Sequence, residues 1–379
     1  MAHTVYCPTK LIFSDDAAAD LAREVASFGP GPVMVVTDAG LLATGIIDSF
    51  ISALTAGGRS IEVFSDVPGN PGVTAVAAAL ARAQALGPAA LIAVGGGSAI
   101  DVAKAVSVLL PHADMSWEDL QAGRAKLSGS RVPMIAVPTT AGTGSEVSHV
   151  AVIGAADGFK KGVVHASLFP SATIVDPSLA LSLPPKLTAA TGMDALIHAM
   201  EATTGRRANP SMDLLALGAL RAIVTSLPRA VAGGADLAAR REMAQAAAWA
   251  GMAMDHAGLG LCHALCGPLS AHHEIHHGLG NALLLPAVLA FNAPAIPPGR
   301  WPALRDALGL SVDAGPDALA PWARSFVGGL GLPTRLRDVG LDGSSFPAIA
   351  AEATRMAMIG NNVRAAGEAE CLAVLEAAL

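Results

Sequence analysis

Short apolar runs mark the first half of the chain, each closed by small or polar residues. Val33-Met34-Val35-Val36 ends at Thr37-Asp38, and Ile61-Glu62-Val63-Phe64 follows a helical stretch. Leu91-Ile92-Ala93-Val94 runs into Gly95-Gly96-Gly97, and Met134-Ile135-Ala136-Val137 into Pro138-Thr139-Thr140. Strands of this kind, separated by crossover helices, predict a parallel sheet covered on both faces. Such sheets bind ligands beyond the carboxyl ends of their strands, where this Gly, Thr and Asp punctuation falls. From about Leu187 the pattern changes to long Ala/Leu/Met-rich segments with a 3.6-residue period. Their breaks fall at Gly205 to Pro210, Gly233-Gly234, Pro268, Pro294 to Pro298 and Gly328 to Pro333. The expectation is an α/β N-terminal dinucleotide-binding domain over residues 1–184 and an all-helical domain over 185–379, meeting near Pro184-Pro185.

Composition narrows the classes. A chain of 379 residues is long enough for two cores. Its hydrophobic content of 52% and mean hydropathy of +0.50 raise the question of a membrane span. The apolar stretches are interrupted by Asp101 and Lys104, by His263, or by Pro286, Asn292 and Pro294. None approaches the ~20 uninterrupted apolar residues that a span needs. The net charge of −7, with no basic run, argues against nucleic acid and anionic membrane as partners. The start, Met1-Ala2-His3-Thr4, lacks a secretory pattern, and four cysteines are too few for a disulfide scaffold, so the expected compartment is the cytoplasm. Cys262 and Cys266 flank His263 but form no CxxC pair, so they read as buried thiols rather than a zinc knot.

Two groups of residues carry candidate chemistry. Gly95-Gly96-Gly97-Ser98 comes straight off a strand and opens a helix through Asp101 and Lys104. Glycines there admit a diphosphate to unpaired helix N–H groups, and Ser98 is placed either to cap the helix or to donate to phosphate. A tight strand-to-helix turn explains the same residues. Asp38, at a strand end, suits an adenosine ribose and would repel a 2′-phosphate, favouring NAD over NADP. The loop from Pro138 to Glu146 adds Thr139, Thr140, Thr143, Ser145 and two glycines, enough donors to wrap a second side of a nucleotide.

The second group begins with Asp194 and His198, four apart in an apolar stretch and so on one helix face. Both are costly to bury unless paired with each other or bound to metal. His263 and His277 are fourteen apart, which is ~21 Å on one helix. A break at Gly267-Pro268 is expected to turn the chain and bring them together. One carboxylate and three imidazoles suit Fe(II) or Zn(II) with room for a substrate oxygen. His272, His273 and His276 crowd the same segment, so spacing leaves open which imidazoles are ligands.

Taken together these motifs resemble the iron-containing, or group III, alcohol dehydrogenase family. The likeness spans nearly the whole chain. Its most specific parts are Gly95 to Ser98 with Asp101 and Lys104, the Pro138–Glu146 loop, Thr191 to Glu201, and Gly260 to Pro286. The resemblance implies metal ligands at Asp194, His198, His263 and His277. It implies cofactor contacts at Asp38, Asn70, Gly96, Gly97, Ser98, Thr139, Thr140, Thr143 and Lys160. It also implies an active site in the cleft between two domains, and homodimers or larger homo-oligomers. Three positions depart from the family pattern: Gly267 where a histidine is frequent, Met254 where an aromatic is frequent, and His276 where proline is frequent. Asp194 itself counts against the maleylacetate reductases, which lack that aspartate.

The expected activity is NAD-linked, metal-dependent interconversion of a small alcohol with its aldehyde, ketone or oxo acid, with His256 and His273 as candidate proton relays. One alternative is a lyase resembling the dehydroquinate synthases, for which the helical half offers few basic residues beyond Lys186, Arg206 and Arg207. Another is a nucleotide- or metal-binding protein without turnover.

Overall fold

The computed structural model describes residues 3–112, 114–155 and 160–379. It divides into two compact units, one of Tyr6–Ala180 and the other of Leu181–Leu379 with the residues up to Val5.

The first unit holds eight strands among its described residues: β1 (Lys10–Phe13), β2 (Val33–Val36), β3 (Ile61–Phe64), β4 (Ala90–Gly95), β5 (Met134–Pro138), β6 (Val150–Gly154), β7 (Lys160–Val164) and β8 (Ala172–Val175). Its helices are α1 (Ala17–Ala26), α2 (Ala39–Ala43), α3 (Ile46–Ala56), α4 (Val73–Leu86), α5 (Gly97–Leu109) and α6 (Trp117–Gln121). Six strands form one parallel sheet in the order β1-β8-β5-β4-β2-β3, and β6 pairs antiparallel with β7 as a separate hairpin. All residues of β2, β4 and β5 are buried. Alternate side chains of these strands enter different cores. Val33, Val35, Ile92 and Val94 pack with Leu21 of α1 and Phe50 of α3. Met34, Val36, Leu91 and Ala93 pack with Val76 of α4 and Ile100 of α5. A continuous apolar run is what a strand covered on both faces requires. After β3 the chain returns to the other side of β2 to lay down β4, so the strand order reverses between β2 and β4. Ligand crevices of doubly wound sheets form at such a reversal.

The second unit contains only helices among its described residues: α7 (Pro185–Thr204), α8 (Pro210–Ala232), α9 (Leu237–Ala257), α10 (Leu261–His273), α11 (His277–Asn292), α12 (Trp301–Ala307), α13 (Leu319–Gly329), α14 (Phe346–Ala353) and α15 (Glu368–Ala378), with short 3-10 turns between some of them. Helix α7 starts with Pro185 in its first turn, where the missing N–H costs nothing, and is buried without a break from Thr188 to Thr204. Gly192 lets α8 settle on it, since a Cβ there would lie 2.3 Å from Leu227. Two helical segments, Pro210–Ala232 and His277–Ala295, are long and apolar enough to cross a membrane by length and composition. The second is mostly buried among other helices, and the first carries Asp213, Arg221 and Arg229.

The Gly267-Pro268 pair does not end a helix, contrary to the expectation from sequence. Helix α10 runs through it. Proline there removes one backbone bond, but every residue from Leu261 to Ser270 is buried, and this packing outweighs the local penalty. The chain turns instead at Glu274, whose φ of 52° makes it the one non-glycine residue with positive φ among the described residues.

Candidate functional site

Helices α7, α10 and α11 bring the chemistry of the second unit to one point. Asp194 and His198 lie one turn apart on α7, and each is 4% exposed. His263 opens α10 and His277 opens α11. Asp194 Oδ1 is 3.5 Å from His263 Nε2 and 3.8 Å from both His277 Nε2 and His198 Nε2. One ligand atom each from Asp194, His263 and His277 fits within 4.8 Å of the others, an arrangement able to hold a metal ion. His198 completes the group, its ring stacked on that of His263 at 4.8 Å between centroids. The turn at Glu274, rather than a break at Pro268, sets His277 back against His263.

Two glycines make this convergence possible. A Cβ on Gly278 would stand 2.1 Å from the carbonyl oxygen of Ala190, so the backbones of α11 and α7 touch there. A Cβ on Gly280 would stand 2.9 Å from Cys266 Sγ on α10. The first turn of α11 is thereby seated on both partner helices.

Glu201, buried on α7, organises the mouth of α10. Its carboxylate accepts from the backbone N–H of Gly260 at 2.9 Å and of Cys262 at 2.7 Å, satisfying donors that a helix start leaves open. It also meets His263 Nδ1 at 2.7 Å. A proton held on Nδ1 would leave Nε2 as the atom able to bind a metal, the carboxylate–histidine pairing that orients metal-binding imidazoles. Burial tends to lower the His263 pKa, but Glu201 and Asp194 outweigh it and raise it to about 9. Burial tends to raise Asp194, yet His198, His277 and His263 hold it well below the usual carboxylate range. The cluster is thus strongly polarised, with negative charge fixed on Asp194.

Asn281, one turn after His277, was not foreseen from sequence. Its Nδ2 donates to Asp194 Oδ1 at 2.8 Å and lies 3.1 Å from His263 Nε2 and 3.3 Å from His277 Nε2. Cys262 and Cys266 are buried thiols outside any disulfide, as expected. Burial is the first cause that pushes the Cys262 thiol well above its usual range. Cys266 Sγ lies 3.4 Å from His277 Nδ1. His273 does not join the group. It sits ten residues beyond His263 on α10, ~15 Å along the helix, exposed, with Nε2 2.7 Å from Ser345 Oγ. His272 pairs with Glu352 at 2.9 Å, and His256 Nδ1 meets the Met252 carbonyl at 2.9 Å. Gly267 is bordered by Met356, whose Cε would be 3.3 Å from an added Cβ. A thioether therefore borders the position where the family pattern favours an imidazole.

In the first unit the sequence-predicted residues gather at the carboxyl ends of β2, β4 and β5. Gly95 adopts φ 155°, which glycine alone takes easily, and a Cβ there would lie 3.8 Å from Asp38 Oδ2. Asp38 caps α2 through a 2.8 Å bond from Leu41 N–H. Gly96, not Ser98, occupies the N-cap of α5, because the helix begins two residues earlier than a serine cap requires. Ser98 Oγ donates instead to the carbonyl of Gly69 at 2.7 Å, tying the helix start to the exposed loop that carries Asn70. Thr143 covers Gly97, with side-chain atoms 3.0–3.1 Å from an added Cβ, and Thr140 covers Gly96 at 3.6 Å. Thr139 N–H donates to the Gly95 carbonyl at 3.1 Å. Lys160 begins β7, but its side chain lies outside the described residues.

Behind this end sits a buried polar core. Lys104 donates to the carbonyls of Ser148 at 2.9 Å and Val150 at 2.8 Å. Asp101 accepts from Ser145 Oγ and from Val152 N–H. Burial raises Asp101 above its ordinary range and lifts Glu146 to about 7. The Asp101 and Lys104 of the sequence motif therefore brace the threonine loop from behind.

Comparisons with known proteins agree across both units. Residues 8–177 match the family model described as iron-containing alcohol dehydrogenase. Residues 188–379 match the model described as Fe-containing alcohol dehydrogenase family, C-terminal. The probable alcohol dehydrogenase EutG of Escherichia coli K12 is 36% identical over 99% of this chain and 94% of its own. A solved 1,3-propanediol oxidoreductase superposes with a TM-score of 0.93 at 32% identity, covering all of both chains. The sulfoacetaldehyde reductase of Bifidobacterium kashiwanohense, solved in complex with NAD+, superposes with a TM-score of 0.91 at 30% identity, over 100% of this chain and 98% of its own.

Proposed function

The chain belongs to the iron-containing alcohol dehydrogenase family, and we propose that it interconverts a small alcohol and its aldehyde or ketone using NAD(H) and a divalent iron. The observation that carries this reading is the buried meeting of Asp194, His263 and His277, joined by His198. The donor set fits a divalent cation: one ionised carboxylate and three imidazoles, with the Asn281 amide nitrogen 2.8–3.3 Å from Asp194, His263 and His277. An iron held by Asp194, His198, His263 and His277 would supply Lewis acidity toward a substrate oxygen, and NAD(H) held by the first unit would supply or take up the hydride.

The chain's own residues supply the rest. Glu201 fixes the tautomer and ring orientation of His263, and the buried wall of α7 keeps bulk water from Asp194. We assign Tyr6–Ala180 to the dinucleotide. Gly96 and Gly97 offer backbone N–H groups at the start of α5 to its diphosphate, and Thr139, Thr140 and Thr143 flank them. Asp38 at the strand reversal suits a ribose diol and disfavours a 2′-phosphate. Gly267 and Met356 give the metal-binding half a less polar border than an imidazole would, which supports small, weakly polar carbonyl substrates.

The test is NADH oxidation by anaerobically prepared protein, with and without added Fe(II), across short aldehydes, ketones, semialdehydes and keto acids. Iron-dependent turnover is the expected result. NADH binding without turnover on any member of the panel would favour a non-redox role.

A further inference from the structure

Helix α10, which carries His263, opens without a cap of its own. Gly260 at its N-cap offers no side chain, so the first N–H groups of the helix need acceptors from elsewhere. Glu201 accepts from those of Gly260 and Cys262, at 2.9 and 2.7 Å. The N–H between them, on Leu261, donates to Asn362 Oδ1 at 3.3 Å, a side chain 101 residues further along the chain. A Cβ on Gly260 would lie 3.1 Å from both Glu201 Oε1 and Asn362 Oδ1, so the glycine admits both acceptors.

Asn362 is 3% exposed, and its amide is satisfied on both sides. Oδ1 also accepts from Asn292 Nδ2 at 2.9 Å, while Nδ2 donates to Asn292 Oδ1 and to the Arg364 carbonyl, each at 2.7 Å. The Leu261 N–H on one side and the Arg364 carbonyl on the other fix which way the amide points. Asn292 is the last residue of α11, and His277 is its first. One buried side chain therefore ties the start of the His263 helix to the end of the His277 helix. Asn361 holds the turn that leads into α10: its Nδ2 donates to the carbonyls of Ala257 and Leu259, each at 2.9 Å, and its Oδ1 accepts from the Arg207 N–H at 2.9 Å.

We propose that Asn362 is a positioning residue for the metal ligands, a joint that sets the start of α10 against α11 so that His263 and His277 present their rings to one point. The inference rests on the metal-binding reading above. Asn362 acts through the backbone of one helix and the frame of the other. Metal–ligand distances tolerate only ~0.2 Å, and His263 stands two residues beyond the Leu261 bond, so a shift of the helix start passes to its ring.

The experiment compares wild type with Asn362→Leu, which keeps the side-chain bulk and removes the amide. Two quantities are read on the full chain: Fe(II) affinity from anaerobic chelator competition, and the visible absorption of the Co(II)-loaded protein, whose bands follow ligand geometry. The expected result is Fe(II) affinity weaker by roughly 10–100-fold together with displaced Co(II) bands. A purely structural role would lower Tm and move neither quantity. Wild-type affinity or a wild-type Co(II) spectrum in the variant, whatever its Tm, would therefore make Asn362 a packing residue and overturn the proposal. If the leucine variant does not fold, Asn292→Ala cuts the link to α11 alone and is read by the same two quantities, with the same outcomes. Failure of the wild type to bind either ion would sink the metal-binding reading itself and this inference with it, a result distinct from a change confined to the variants.

Discussion

Around Asp194 the polar groups that face one another are almost all side chains, brought from three helices, whereas at the tips of β2, β4 and β5 they are largely backbone. The first site is specified by charge: a carboxylate, imidazoles, Glu201 and Asn281 satisfy one another in a buried setting. The second is specified by the absence of side chains: Gly95, Gly96 and Gly97 leave room that Thr140 and Thr143 define. A charge-built site fails when an atom is removed, because its partners are left unpaired in a low dielectric. A shape-built site tolerates removal and fails when an atom is added.

Substitutions can break or sharpen that contrast. The largest effect is expected from His263→Ala, which removes a proposed ligand and strands Glu201. Bound iron by elemental analysis and turnover should vanish together, with NADH affinity by calorimetry preserved; activity retained in metal-free buffer would refute the mechanism. Next comes Glu146, the charged exception within the shape-built half. Its buried carboxyl titrates near 7 against an ordinary value of 4.5, so the folded state holds its proton more tightly than the unfolded one. Its contribution is complete below pH 4.5 and is lost as pH rises toward 7, roughly 3 kcal/mol in all. Urea unfolding across that window should slope downward for wild type and flatten in Glu146→Gln. Glu201→Gln should weaken iron affinity or turnover by roughly 10–100-fold, read by chelator competition, while leaving the first unit's ligand affinity alone.

The shape-built half supplies the smaller effects. Gly97→Ala forces Thr143 aside and should weaken NADH binding by about tenfold, near 1.4 kcal/mol, with iron content unchanged; an undiminished affinity would detach Gly97 from the nucleotide. Ser98→Ala removes only the bond to Gly69 and should cost about 1 kcal/mol in thermal or urea stability. A loss of iron in either variant would erase the distinction between the sites.

How much of this was readable beforehand follows the same division. Strands β2, β4 and β5 were legible because each is an uninterrupted apolar run closed by Gly, Pro or Thr-Asp, and β3 because its β-branched and aromatic residues follow a helical stretch. Strands β1 and β8 were not, because Lys10 and Thr173 blur their apolar character. Asp194 and His198 stood out as polar residues four apart in an apolar helix. Glu201 and Asn281 carry the same signal, three residues after His198 and four after His277, yet a glutamate or asparagine in a helix is ordinary enough to pass as surface. Helix α10 misled for the opposite reason: local propensity at Gly267-Pro268 said stop, and burial on all sides said continue. Local rules describe a segment in isolation, and these helices are held by what surrounds them.

The backbone contact of Gly278 with Ala190 also orders events in time. Asp194 and His198 leave the ribosome well before the chain has reached His277. Until α11 seats Gly278 on α7, the carboxylate and the last imidazole cannot face each other, however long α7 has been formed. An ion held there would therefore be a latch fitted once α7, α10 and α11 have packed and not a nucleus around which they grow. A nascent chain stalled short of residue 277 should emerge helical and blind to iron.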